Sequence, residues 1–143
     1  MFGFLKSKAA EAGRQFSGRT DYLEAVCAAA ALIASADGDI EDGEIKAATK
    51  AVTACKALQG FDPRAIEQTL ERMLNRAAGG RVGRAALWDE IREVLKDPVM
   101  AESVVLAALD VAEGDGELEP AERTVLDRLA KEANVDLQRL LAA

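Results

Sequence analysis

The stretch Asp37-Gly38-Asp39-Ile40-Glu41-Asp42-Gly43-Glu44 returns 78 residues later as Asp115-Gly116-Glu117-Leu118-Glu119-Pro120-Ala121-Glu122. The spacing from the leading Asp-Gly through an acid, a branched aliphatic residue and a final Glu is the same in both. The same offset upstream pairs Glu24 with Glu102, Val26 with Val104, Ala29 with Ala107, Ala30 with Ala108 and Ala34 with Ala112. Each acidic phrase is therefore entered from a similar apolar segment. A short chain with two such units reads as an internal duplication.

The flanking segments read as helices. The first lead-in, TDYLEAVCAAAALIASA from Thr20, is Ala-rich and nearly all apolar after Glu24, the pattern of a helix buried on most sides. Thr20 or Asp21 can cap it. The second lead-in runs from Pro98 to about Ala112. After the first phrase a helix is predicted from Glu41 to about Leu58, with Ile45, Ala48, Val52 and Cys55 at the spacing of one buried face. Asp62-Pro63 and Asp97-Pro98 each place an N-cap before a proline at the first helical position, where its missing N–H costs nothing. Ile66, Leu70, Met73 and Leu74 form the stripe that follows the first of these.

Gly79-Gly80 and Gly83 predict a flexible link and the boundary between halves of about 20–80 and 84–143. A helix from Arg84 to Leu95 carries Leu87, Trp88, Ile91 and Val94, with Trp88 read as core. Pro120 opens a helix with Val125, Leu126, Leu129 and Ala133 inward, and Asp136 caps a short last one. Strand patterns are absent, so the expectation is an all-α bundle of six to eight helices built from two similar halves.

The 143 residues suffice for one domain with a real core. The formal charge of −7 argues against nucleic acid as a partner and is compatible with cations. Charge is unevenly placed: residues 1–20 hold Lys6, Lys8, Arg14 and Arg19 against Glu11, net +3, which leaves −10 on the rest. Residues 1–19 form a basic segment whose first 16 include Phe2, Phe4, Leu5 and Phe16. It fits either an amphipathic helix on an anionic membrane face or a terminal segment docked on the domain. Cys27 and Cys55 lack metal-type spacing and read as reduced core residues, which fits a cytoplasmic setting. No stretch approaches a membrane span, and no signal-peptide core is present.

The acidic phrases carry half of an EF-hand. With Asp37 at ligand position 5, Gly38 falls at 6, Ile40 at 8 and Glu44 at 12, and Gly116, Leu118 and Glu122 correspond. Positions 1 and 3 fall on Ile33 and Ser35, or on Val111 and Glu113, so the first half is missing and a true EF-hand is excluded. A single loop would bind a cation weakly, in the range of roughly 10⁻⁴ to 10⁻³ M. Antiparallel packing of the two lead-in helices would bring Glu102 beside the Asp37 loop and Glu24 beside the Asp115 loop. That arrangement predicts two symmetric oxygen-lined sites. With no His and no paired Cys, the ion would be Ca²⁺ or Mg²⁺ rather than Zn²⁺, with Ca²⁺ the first expectation and Mg²⁺ the second.

A plainer reading stands beside this one. Acids at a helix start favour its dipole, and Glu41 with Glu44, or Glu119 with Glu122, has capping-box spacing. An enzyme would need a pocket with a nucleophile or an open metal site, and nothing else in the chain supplies either.

The stretch DYLEAVCAAAALIASADGDIEDGE from Asp21 to Glu44, with GDGELEPAE from Gly114 to Glu122, resembles the tellurite-resistance TerB family over nearly the whole chain. The resemblance implies a compact all-helical protein of two similar halves, with acidic patches that bind divalent cations. It further implies a non-enzymatic stress-response role at the inner membrane face, with a TerC-like integral membrane protein as partner. The matching acids are Asp37, Asp39, Glu41 and Glu44 in one phrase and Asp115, Glu117, Glu119 and Glu122 in the other. Glu24 and Glu102 match the lead-in acids. The segment from Gly60 to Leu95 departs from the Phe- and Lys-rich character of typical members. TerB-like domains also occur fused to J-domains, but without a single His this chain has no co-chaperone motif.

Overall fold

A computed structural model describes residues 8–142 apart from 9, 12, 39 and 115–117. Seven α-helices follow residue 19: α1 Thr20–Ala34, α2 Asp42–Thr53, α3 Pro63–Ala77, α4 Gly80–Val94, α5 Pro98–Glu113, α6 Pro120–Glu132 and α7 Leu137–Ala142. A 3₁₀ turn at Lys56–Leu58 joins α2 to α3, and no strand occurs among the described residues. The expected all-α bundle is what forms.

Two helices make the centre. From Tyr22 to Ile33 every residue of α1 except Glu24 is buried, and α5 is buried in the same way from Ser103 to Leu109. Ala-rich helices apolar on every side have no solvent face to keep, so the other helices wrap them with amphipathic faces of their own. The wrapping stripes are those the spacing gives: Ile66, Leu70, Met73 and Leu74 on α3, Leu87, Trp88, Ile91 and Val94 on α4, Leu126 and Leu129 on α6. The helix starts follow their capping residues. Asp62 accepts the Arg64 amide at 3.1 Å and Asp97 accepts the Val99 amide at 3.0 Å.

The 78-residue spacing recurs in the helices, since α1 and α5 begin at 20 and 98, and α2 and α6 at 42 and 120. The correspondence covers these two pairs. After α2 the chain makes the 3₁₀ turn and α3, whereas after α6 it makes only the six-residue α7.

Four local expectations are corrected. Ile45, expected on the buried face of α2, is 37 % exposed, and that face is held by Ala48 and Val52. The helix after the first phrase stops at Thr53, and the chain reaches Leu58 through the 3₁₀ turn, whose first amide, on Lys56, donates to the Asp110 carboxylate at 3.2 Å. The glycine-rich link is a tight turn, with Gly80 at φ +77° opening α4 four residues before Arg84. Gly83 sits inside α4 against the Arg76 carbonyl of α3, so that it serves close packing of a helical hairpin. The lead-in helices, finally, are not antiparallel. The Tyr22 hydroxyl near the start of α1 meets the Ser103 hydroxyl near the start of α5 at 2.7 Å, while Ala30 and Ile33 share a cleft with Val111 at the opposite ends. The two helices run side by side in the same direction.

Of the basic amphipathic segment, Phe2, Phe4 and Leu5 lie outside the described residues. Phe16 is buried and stacks on Tyr22 with ring centroids 5.2 Å apart, and Gly13 packs on the Ala57 backbone. This end of the segment docks on the domain.

Candidate cation site

Because α1 and α5 run in the same direction, both acidic phrases emerge at the same end of the molecule. They meet across a cleft of about 170 Å³. Asp37 follows α1, Glu44 lies in the first turn of α2, Glu119 is the N-cap of α6 and Glu122 lies in its first turn; all four line the cleft. Its floor is apolar and made of small side chains, among them Ala30, Ala34, Ala48 and Val111. Small floor residues let α1, α2 and α5 approach closely, which is what brings the rims together.

The remaining predicted residues fall elsewhere. Glu41 is exposed, holds the N-cap position of α2 without a side-chain cap bond and does not line the cleft. Asp39, Asp115 and Glu117 lie outside the described residues. Glu24 pairs with Arg72 of α3 at 2.8 Å, and Glu102 lies 3.6 Å from Lys8. Glu24 precedes Asp37 by 13 residues, roughly 20 Å of helix. With α1 and α5 in the same direction, neither Glu24 nor Glu102 reaches a loop of the other half. Both are displaced from the shared sites the sequence predicts.

Among the described residues no three Asp, Glu, His or Cys side chains stand together as a ready metal-binding group. The second phrase also caps its own helix: Glu119 and Glu122 form a capping box, in which the Glu119 amide donates to Glu122 Oε1 at 2.9 Å. Close by, burial and the like charge of Asp110 hold the Glu113 carboxyl above the usual range. Sequence reasoning counted Glu113 only as a failed EF-hand position and passed over Asp110. The available signal was an ionisable residue inside an otherwise apolar helix.

Cys27 and Cys55 are free and buried, and burial pushes both thiols up to about 12. Among the described residues no helix is long and apolar enough to cross a membrane.

An all-helical bundle with two acidic phrases opening on one cleft is the class of protein these features define. A family model described as "Tellurite resistance protein TerB" matches residues 23–142, and the chain belongs to the TerB family. No curated protein and no solved structure matches it.

Proposed function

We propose that this chain is a non-enzymatic, divalent-cation-binding interaction module of the tellurite-resistance type. The observation that supports this reading is the convergence of Asp37, Glu44, Glu119 and Glu122 on one cleft although they come from phrases 78 residues apart. Gathering like charges costs Coulomb energy that helix capping alone does not require, and a bound cation offsets it. In place of two symmetric sites, one site is shared by the loops. Asp39, Asp115 and Glu117, sequence neighbours of these acids, lie outside the described residues and remain candidates for the set, while Glu24 and Glu102 have no part in it.

The ion is Ca²⁺ rather than Mg²⁺, because carboxylates drawn from two separate phrases suit a larger, irregular coordination shell. The protein acts in the cytoplasm at the inner membrane face, the part of residues 1–16 ahead of the docked Gly13 and Phe16 supplying a peripheral contact and a TerC-like integral membrane protein the partner. A second reading is a scaffold without metal, favoured by the capping box of Glu119 and Glu122.

Calorimetric titration with Ca²⁺ separates the two. Saturable heats and a raised melting temperature in the wild type, both lost in an Asp37→Asn, Asp115→Asn double variant, support cation binding. Flat heats and an unchanged melting temperature leave the scaffold.

A further inference from the structure

A second cavity, of about 260 Å³, lies between α4, α6 and the turn after α1. Ala36 lines both this cavity and the acidic cleft, so the turn separates them. Their chemistry is opposite. Arg84 and Trp88, one helical turn apart on α4, face Thr124 and Arg128, one turn apart on α6. None of the described lining residues is acidic, in a chain whose formal charge is −7.

Three nitrogen donor groups meet here. Trp88 is only 5 % exposed, its indole N–H donates to no described protein atom, and no buried side-chain nitrogen among the described residues lacks a partner. That N–H therefore keeps some access to solvent, and the Trp88 side chain lines the cavity. Arg128 sits over the Trp88 ring, 4.1 Å from its centroid, and gives Nε to Glu132 at 3.1 Å, leaving its terminal nitrogens to donate. Among the described residues no carboxylate pairs with Arg84. The hydroxyls are already committed to helix carbonyls, Thr124 to Pro120 at 3.1 Å and Ser35 to Ala31 at 2.9 Å.

We infer that this cavity is an anion site for an oxyanion of the phosphate class, held by Arg84, Arg128 and the Trp88 N–H. Guanidinium groups from two helices, with an indole N–H one turn along from Arg84, suit a ligand with several equivalent oxygens. Leu32 and Val125 add apolar wall beside these donors. The volume leaves room for a small phosphomonoester as well as the free ion.

Trp88 is the only tryptophan, so its fluorescence reports on the site directly. Inorganic phosphate, and separately glycerol phosphate, is titrated at constant ionic strength set with chloride. The expected result is a saturable change with at least one of them, weakened by about ten-fold or more in Arg84→Gln, since one charge-assisted hydrogen-bonding group is lost. Arg84→Lys falls between, because it keeps the charge and loses the fork. Trp88→Phe, followed by calorimetry, also weakens binding while the ring stays in place. Circular dichroism confirms that each variant is folded. If Arg84 merely balances the C-terminal end of α1, Arg84→Gln lowers the melting temperature and leaves the phosphate titration as it was. That outcome, or a wild-type signal that changes only with ionic strength, overturns the assignment.

Discussion

Tyr22 and Ser103 join α1 to α5 through a 2.7 Å bond between two hydroxyls that are both almost completely inaccessible. The bond joins the starts of the two central helices, which run in the same direction and so bring both acidic phrases out at one end. The two substitutions are expected to differ. Ser103→Ala strands a buried phenol and costs about 2 kcal/mol. Tyr22→Phe costs about 1 kcal/mol, because the serine can turn to the carbonyl one turn back on its own helix. Urea denaturation of both single variants and the double variant checks this. Equal losses in the two singles contradict it.

Gly83 gives a prediction about backbone approach. A methyl group there would land on the Arg76 carbonyl oxygen, which is backbone and cannot swing away. Gly83→Ala should destabilise by about 3 kcal/mol through overpacking of the α3–α4 hairpin. Gly43 is the internal control, since a methyl group on it meets nothing within 4 Å. Gly43→Ala should be neutral or stabilise by about 0.5 kcal/mol by restricting the unfolded chain. Thermal melts of the two variants should therefore move in different directions, or one should not move at all.

The helices were legible because their starts and stripes are local. Asp62-Pro63 and Asp97-Pro98 spell their caps, and three- and four-residue spacing spells the inward faces of α3, α4 and α6. The direction of α1 against α5 was not legible. A helix that is apolar on all sides carries no stripe to say which face, or which end, meets its neighbour. That gap decided the fate of the site residues: the acids of the phrases stayed at a cleft, while Glu24 and Glu102 moved away from it with the helix ends that bear them. The Arg84, Trp88 and Arg128 grouping was hidden for a different reason. Trp88 and Arg128 are 40 residues apart, and in sequence Trp88 reads only as one more member of an apolar stripe.

Glu132 and Glu113 should respond to pH in opposite senses. Burial alone would raise the Glu132 carboxyl, but hydrogen bonds from Arg92 at 2.6 Å and Arg128 at 3.1 Å outweigh it and hold the group below its ordinary value. A carboxyl depressed in the folded state contributes stability that is present above its unfolded value and lost as pH falls through the folded value. Glu132→Gln should therefore cost about 1 kcal/mol at pH 7 and little once the wild-type group is protonated. Glu113 is raised by burial and by Asp110, so its ionisation opposes folding as pH rises. Glu113→Gln should stabilise at pH 7 and be neutral in acid. Urea midpoints measured from pH 7 down to about 3 read both effects, and a parallel pH dependence of the two variants would contradict the assignment.

Cys27 and Cys55 give a prediction about local opening. Both thiols are buried, and desolvation of the thiolate, with the nearby Asp110 adding to it at Cys55, pushes them to about 12. At pH 8 very little of such a thiol is in the reactive thiolate form, and the closed bundle excludes the reagent as well. A thiol-specific chromogenic disulfide should leave the native protein unlabelled over minutes and label two thiols per chain at once in concentrated urea. Slow native labelling should follow the opening equilibrium, and Ser103→Ala, by loosening the contact of α1 with α5, should speed it in proportion to its loss of stability. Rapid labelling in the native wild type would show that α1 at Cys27, or the 3₁₀ turn at Cys55, is not sealed as described.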